Sequence, residues 1–135
     1  MPKLSSASQA RLNGAHPLLQ KLFTAVAAES NIAILDSQRG RRAQEQAFAS
    51  GHSRAHFGQS AHNWSPAIAL DVAPYPIDWN NLDRFRSLAA VVKAKAKALG
   101  IPIAWGGDWT SIKDFPHYEL DPWRSFAAKA RPFNG

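Results

Sequence analysis

The chain has 135 residues, 45% of them apolar and 19% charged, the balance of a globular protein able to bury about two-thirds of its unfolded surface. It contains no cysteine, which excludes a disulfide framework and a thiolate metal site, so any transition metal must be held by His, Asp or Glu. Its 16 Lys and Arg against 10 Asp and Glu give a net charge of +6, which favours an acidic partner (nucleic acid, anionic lipid or an anionic envelope), and no window reaches transmembrane length.

Residues 4–13 read as a short helix capped by Ser5 or Ser6 and broken by Gly14. Pro17 opens a second helix, in which Leu18, Leu19, Leu22, Phe23 and Val26 form an apolar stripe. His16, just before it, reads as a capping or packing residue. Residues 31–35 are a short β-prone run ending at Asp36, and residues 37–40 are a turn. A third helix is expected over 41–50, with Ala43, Ala47 and Phe48 inward and Gly51 past its end. Residues 52–59 form a polar loop that carries His52, Arg54 and His56.

Residues 68–73 are apolar except for Asp71. They predict a buried strand with one charged side chain, which is costly unless that charge is paired or metal-bound. Pro74 and Pro76 end it. The longest helix is expected over 80–99, with Leu82, Phe85, Leu88, Ala89, Val92 and Leu99 on one face and Gly100 as its cap. Residues 101–105 and 117–120 are strand candidates separated by a tight turn at 106–109. A terminal helix over 122–130 packs Trp123, Phe126 and Ala127 inward. Strands and helices mix without a regular βαβ rhythm, which predicts α+β architecture with a small, mostly antiparallel sheet. There is no repeat or low-complexity stretch, so residues 1–135 are expected to form a single domain.

Three stretches fit together as one metal site. His62 stands at the end of a loop and Asp71 on the strand that follows, and the turn between them can bring both to one ion. His117 at the start of another strand completes the set if the two strands are neighbours. Two histidines and one carboxylate are usual ligands of a hydrolytic zinc whose fourth position stays open for water. Asp114, three residues before His117, is placed to act on that water. Two histidines four apart around a glutamate, the zincin helix signature, are absent.

These segments resemble the VanY-type D-Ala-D-Ala carboxypeptidases and their phage endolysin branch of L-alanyl-D-glutamate peptidases, within a group that includes the hedgehog signalling domain. The resemblance is carried by Ser37-Gln38-Arg39 with Gln44 and Gly51, and by Ser60-Ala61-His62-Asn63 with Pro66, Ala69 and Asp71. Residues 105–109 and 114–119 resemble the family's final segment, so the likeness spans residues 4–120. Ser37 and Gln38 stand where a glycine and an aromatic are common.

The resemblance implies zinc bound by His62, Asp71 and His117, with Asp114 as general base. It implies that Arg39 stabilises the oxyanion or holds the substrate carbonyl. Asp108 and Glu119 become candidates for orienting a ligand histidine, Ser60 for fixing the loop, and Trp109 and Tyr118, with Trp105, for walling a peptide groove. The expected function is zinc-dependent cleavage of the L-Ala–D-Glu bond of the peptidoglycan stem peptide, causing lysis of the bacterial cell. The expected partners are that peptide and the anionic envelope, and the chain is expected to act as a monomer that neither spans a membrane nor binds nucleic acid, its positive charges being scattered. No secretory signal and no separate wall-binding module are read, so the protein is expected in the host cytoplasm until a holin-type pore releases it. The alternatives are a D-Ala-D-Ala carboxypeptidase or dipeptidase, and a non-catalytic zinc domain that binds a partner. Retention of both Asp114 and Arg39 argues against the latter.

Overall fold

The computed structural model describes residues 4–135. Five helices, α1 (Ser6–Asn13), α2 (Pro17–Ala27), α3 (Arg41–Ala49), α4 (Leu82–Leu99) and α5 (Trp123–Ala127), surround a small sheet. Its strands are β1 (Ile32–Asp36), β3 (Ala69–Pro74), β4 (Ile103–Trp105) and β5 (His117–Leu120), in the order β1-β3-β5-β4 with every pair antiparallel. The α+β expectation therefore holds. The sequence reading omits a two-stranded ribbon, β2 (Trp64–Ser65) with β6 (Arg131–Pro132), and a 3-10 turn at Ala61–Asn63. Two- and three-residue elements carry no periodicity to detect.

One face of the sheet is apolar. Leu70, Val72, Tyr118, Leu120 and Ile34 alternate onto it and are buried with Leu19, Leu22, Phe23 and Val26 of α2 and Leu88, Ala89 and Val92 of α4. Pro17 at the first helical turn and His16, whose Nδ1 accepts from the Leu18 amide at 3.0 Å, start α2. α4 ends at Gly100, which adopts φ +69°. Leu82, expected on its buried face, is 36% exposed at the first turn.

α3 departs most from expectation. Ala43 and Phe48 are exposed, and the one buried residue of the helix is the polar Gln44. The helix is held by a polar anchor rather than an apolar stripe. The amide of Gln44 receives Arg39 Nη1 (3.2 Å) and Asn63 Nδ2 (3.1 Å) and donates to Ser53 Oγ (3.0 Å) and the Ala55 carbonyl (2.7 Å). All four of its hydrogen-bonding positions are used, as a buried amide requires.

Tyr118 is corrected from groove wall to core. Its ring meets Phe23 edge-on at 5.4 Å, and it lies on the sheet face opposite its neighbour His117. Its hydroxyl is buried with no hydrogen-bond partner among the described residues, and burial, with Asp108 adding, raises its pKa. A buried unpaired hydroxyl costs about 1–3 kcal/mol. Tyr118→Phe should thus leave stability unchanged or raise it by up to that amount, read from the urea unfolding midpoint. A drop larger than about 1 kcal/mol would show that the hydroxyl has a partner.

Candidate metal centre

The polar face of the sheet carries the chemistry. Asp71 on β3 lies directly opposite His117 on β5, and Glu119 follows His117 by two residues on the same face. Strand β1 slips register between Ile34 and Asp36. That irregularity brings Asp36, instead of Leu35, opposite Asp71. His62 enters from the 3-10 turn, which Ser60 caps by accepting the His62 amide at 3.2 Å.

His62 Nε2 and His117 Nδ1 approach the same Asp71 Oδ1, at 3.2 and 3.3 Å. One ligand atom from each of the three residues lies within 4.8 Å of the others. Each ring has its second nitrogen engaged. His62 Nδ1 donates to the Ser37 carbonyl at 2.8 Å, and His117 Nε2 donates to Glu119 Oε1 at 2.7 Å. A carbonyl can only accept, so the His62 proton sits on Nδ1 and Nε2 is free to bind an ion. This donor set, two imidazoles and a carboxylate with both rings oriented from behind, fits a divalent zinc-type cation.

The electrostatics agree. Burial disfavours charge on Asp71, yet the two histidines hold its carboxyl well below the usual carboxylate range. Burial likewise opposes charge on His117, but its hydrogen bonds to Asp71 and Glu119 win, and its pKa is pushed up to about 9. Asp71 is thus ionised across the neutral range, as a carboxylate ligand must be. Asp114 behaves oppositely, its pKa raised first by burial and then by Asp71.

Arg39 lies against this cluster. Its Nε and Nη2 bind Asp36 Oδ2 at 3.1 and 2.9 Å, and Nη2 stands 3.5 Å from Asp71 Oδ2. Its backbone amide donates to the His62 carbonyl at 2.7 Å, and Asn63 Nδ2 donates to the Arg39 carbonyl at 3.0 Å. The Arg39 turn and the His62 turn are therefore one polar unit locked through Gln44. Asp36 is the site residue the sequence reading missed. The only signal available is an acid three residues before Arg39, which reads equally well as the end of a strand.

Asp114 owes its place to Gly106. The Asp114 amide donates to the Gly106 carbonyl at 3.0 Å, and a Cβ on Gly106 would stand 2.3 Å from the Asp114 carbonyl oxygen. Only glycine permits this approach. Trp109 tilts against His117 with ring centroids 5.0 Å apart and lines the groove with Asp114. Trp105 is core, its Nε1 donating to the Phe115 carbonyl at 2.7 Å. Asp108 is corrected: its carboxylate pairs with Lys93 at 2.6 Å, exposed and away from both ring nitrogens already engaged. His56 is held by Glu45 (2.8 Å) and stacks on Phe48, whereas His52 borders the groove.

A groove of about 630 Å³ runs over His62 and His117 between residues 51–55, 109–114 and 123–124. A second depression, near 510 Å³, lies far from these residues, around the start of α4. Glu119→Ala should leave the three ligands in place but weaken divalent metal binding by about 10- to 100-fold, because it removes the group that orients His117. A competition titration with a chromophoric chelator reads this, and unchanged affinity would remove Glu119 from the site.

A His-Asp-His cluster able to hold a metal ion, beneath a groove on an antiparallel sheet, defines a candidate metallohydrolase. Residues 1–121 match the family model described as phage L-alanyl-D-glutamate peptidase, and the chain belongs to that family. It is 29% identical to the peptidoglycan L-alanyl-D-glutamate endopeptidase CwlK of Bacillus subtilis (strain 168), over 79% of this chain and 74% of that one. It is 38% identical over 55 residues to the L-alanyl-D-glutamate peptidase of Escherichia phage T5, covering 38% of this chain and 39% of that one. The crystal structure of the Serratia marcescens L-Ala D-Glu endopeptidase ChiX is similar with a TM-score of 0.78 at 27% identity, across 93% of this chain and 94% of that one.

Proposed function

We propose that this chain is a metal-dependent peptidoglycan peptidase that hydrolyses the L-Ala–D-Glu bond of the stem peptide. The observation that carries this reading is the convergence of His62, Asp71 and His117 beside Asp114 in one groove, in a member of this family. Zinc is the ion the donor set favours, with His62, Asp71 and His117 as its ligands. When bound there, it supplies Lewis acidity and lowers the pKa of a water from about 15.7 to near 7.

The side chains supply the rest. Asp114 takes the proton of the attacking water and returns it to the leaving amine. Its raised pKa suits a group that must both accept and release a proton. Arg39, fixed by Asp36 and Gln44, presents a positive charge to the oxyanion that develops on the scissile carbonyl. Ser60 keeps the His62 turn in shape, and Trp109 gives the peptide an apolar wall beside His117. Among the described residues no helix is long and apolar enough to cross a membrane. In this reading the protein acts as an endolysin, reaches the wall through a holin-type pore, and lyses the cell.

The test is mass spectrometry of purified peptidoglycan digested by the protein, with and without a chelator. New N-terminal D-Glu on the stem peptides, abolished by the chelator, is the expected product. Release of free D-Ala alone would assign a carboxypeptidase instead.

A further inference from the structure

Four cations line the groove, and they are not equivalent. Arg39 is paired with Asp36 and held at the metal ligands. Arg54, Lys113 and Arg124 come from three separate segments, and among the described residues none has a carboxylate partner. Two of them are nevertheless fixed. Lys113 Nζ donates to the carbonyls of Gly107 and Trp109, both at 3.1 Å. The Arg124 guanidinium lies 4.4 Å from the centroid of the Trp123 ring, which also lines the groove. Carbonyls and a ring hold these groups in place without cancelling their charge. The acids along the same groove are committed elsewhere, Glu119 to His117 and Asp114 to the centre itself. The wall therefore offers uncompensated positive charge to whatever enters.

The substrate class proposed above carries the matching group. Glutamate joined onward through its γ-carboxyl keeps its α-carboxylate free, on the carbon that bears the scissile nitrogen. We infer that Arg54, Lys113 and Arg124 form a carboxylate subsite that selects stem peptides with a free α-carboxylate on D-Glu over those with an α-carboxamide. The inference rests on the cleavage reading above and adds its specificity. A carboxylate gains charge-assisted hydrogen bonds from Arg and Lys, and a neutral amide does not.

The test uses two synthetic stem tetrapeptides that differ only in this group, and the metal-loaded full chain. A charged hydrogen bond is worth enough to favour the carboxylate by about 10- to 100-fold in kcat/KM. In the combined variant Arg54→Gln, Lys113→Gln, Arg124→Gln the ratio should fall toward one, chiefly through the KM of the carboxylate peptide, and Lys113→Arg alone should keep it. Calorimetric binding of the D-Glu-terminated product and its amide gives a readout independent of turnover. Equal kcat/KM and equal product binding by the unaltered protein would overturn the subsite, and so would an undiminished ratio in the combined variant. If neither tetrapeptide is cleaved but the carboxylate product binds more tightly, the subsite stands and the cleavage reading fails. All three side chains are exposed, so loss of fold is not expected, and circular dichroism checks it.

Discussion

Asp114→Asn should keep the metal and lose turnover, by about 100- to 10,000-fold in kcat. The substitution preserves volume and removes only the ability to take a proton. Asp114 is not one of the three converging ligands, so metal content by elemental analysis should stay at that of the unaltered protein. Its backbone position is set by the hydrogen bond to Gly106 and by the His117 amide, which donates to the Asp114 carbonyl at 3.1 Å. Neither contact involves the carboxylate, so the loop should stay in place. Near-normal kcat with the metal bound would remove Asp114 as the general base.

Asp71→Ala should lose both metal and activity. Both histidines approach one oxygen of this carboxylate, and Arg39 lies 3.5 Å from the other. Its removal leaves His62 and His117 as a two-ligand site and places Arg39 beside them without the intervening negative charge. Supporting groups behind a ligand are worth about 10- to 100-fold in metal affinity, and loss of the ligand itself should exceed that. His117→Ala should behave in the same way, since it removes a ligand atom and leaves the partly buried Glu119 carboxylate without its partner. The check is metal stoichiometry after dialysis together with release of N-terminal D-Glu from peptidoglycan. Stoichiometric metal in Asp71→Ala would sink the three-ligand assignment.

Much of the fold is legible in the sequence because apolar spacing and helix punctuation are local. Pro17, Gly100 and the stripes of α2 and α4 mark their helices before any partner is known. The lone Asp71 in an apolar run points to a paired or metal-bound charge for the same reason, since burial makes a single carboxylate expensive. The antiparallel pairing that sets Asp71 opposite His117 follows from the α+β expectation but not from either segment alone.

Other features depend on tertiary placement. Gln44 stands out in the sequence only as part of the family resemblance, with no role attached, and the fold reveals it as the anchor joining Arg39, Asn63 and residues 53–55. Tyr118 and His117 are adjacent in sequence, and the period-two pleat sends one to the core and the other to the metal centre. Asp108 is an acid near a candidate site in sequence, yet Lys93 from α4 claims it. What the sequence alone determined was the set of chemical groups and the local elements that carry them. Which groups meet was decided by sheet register, by the slip that brings Asp36 round to Arg39, and by the close approach at Gly106, because these are long-range contacts with no local signal.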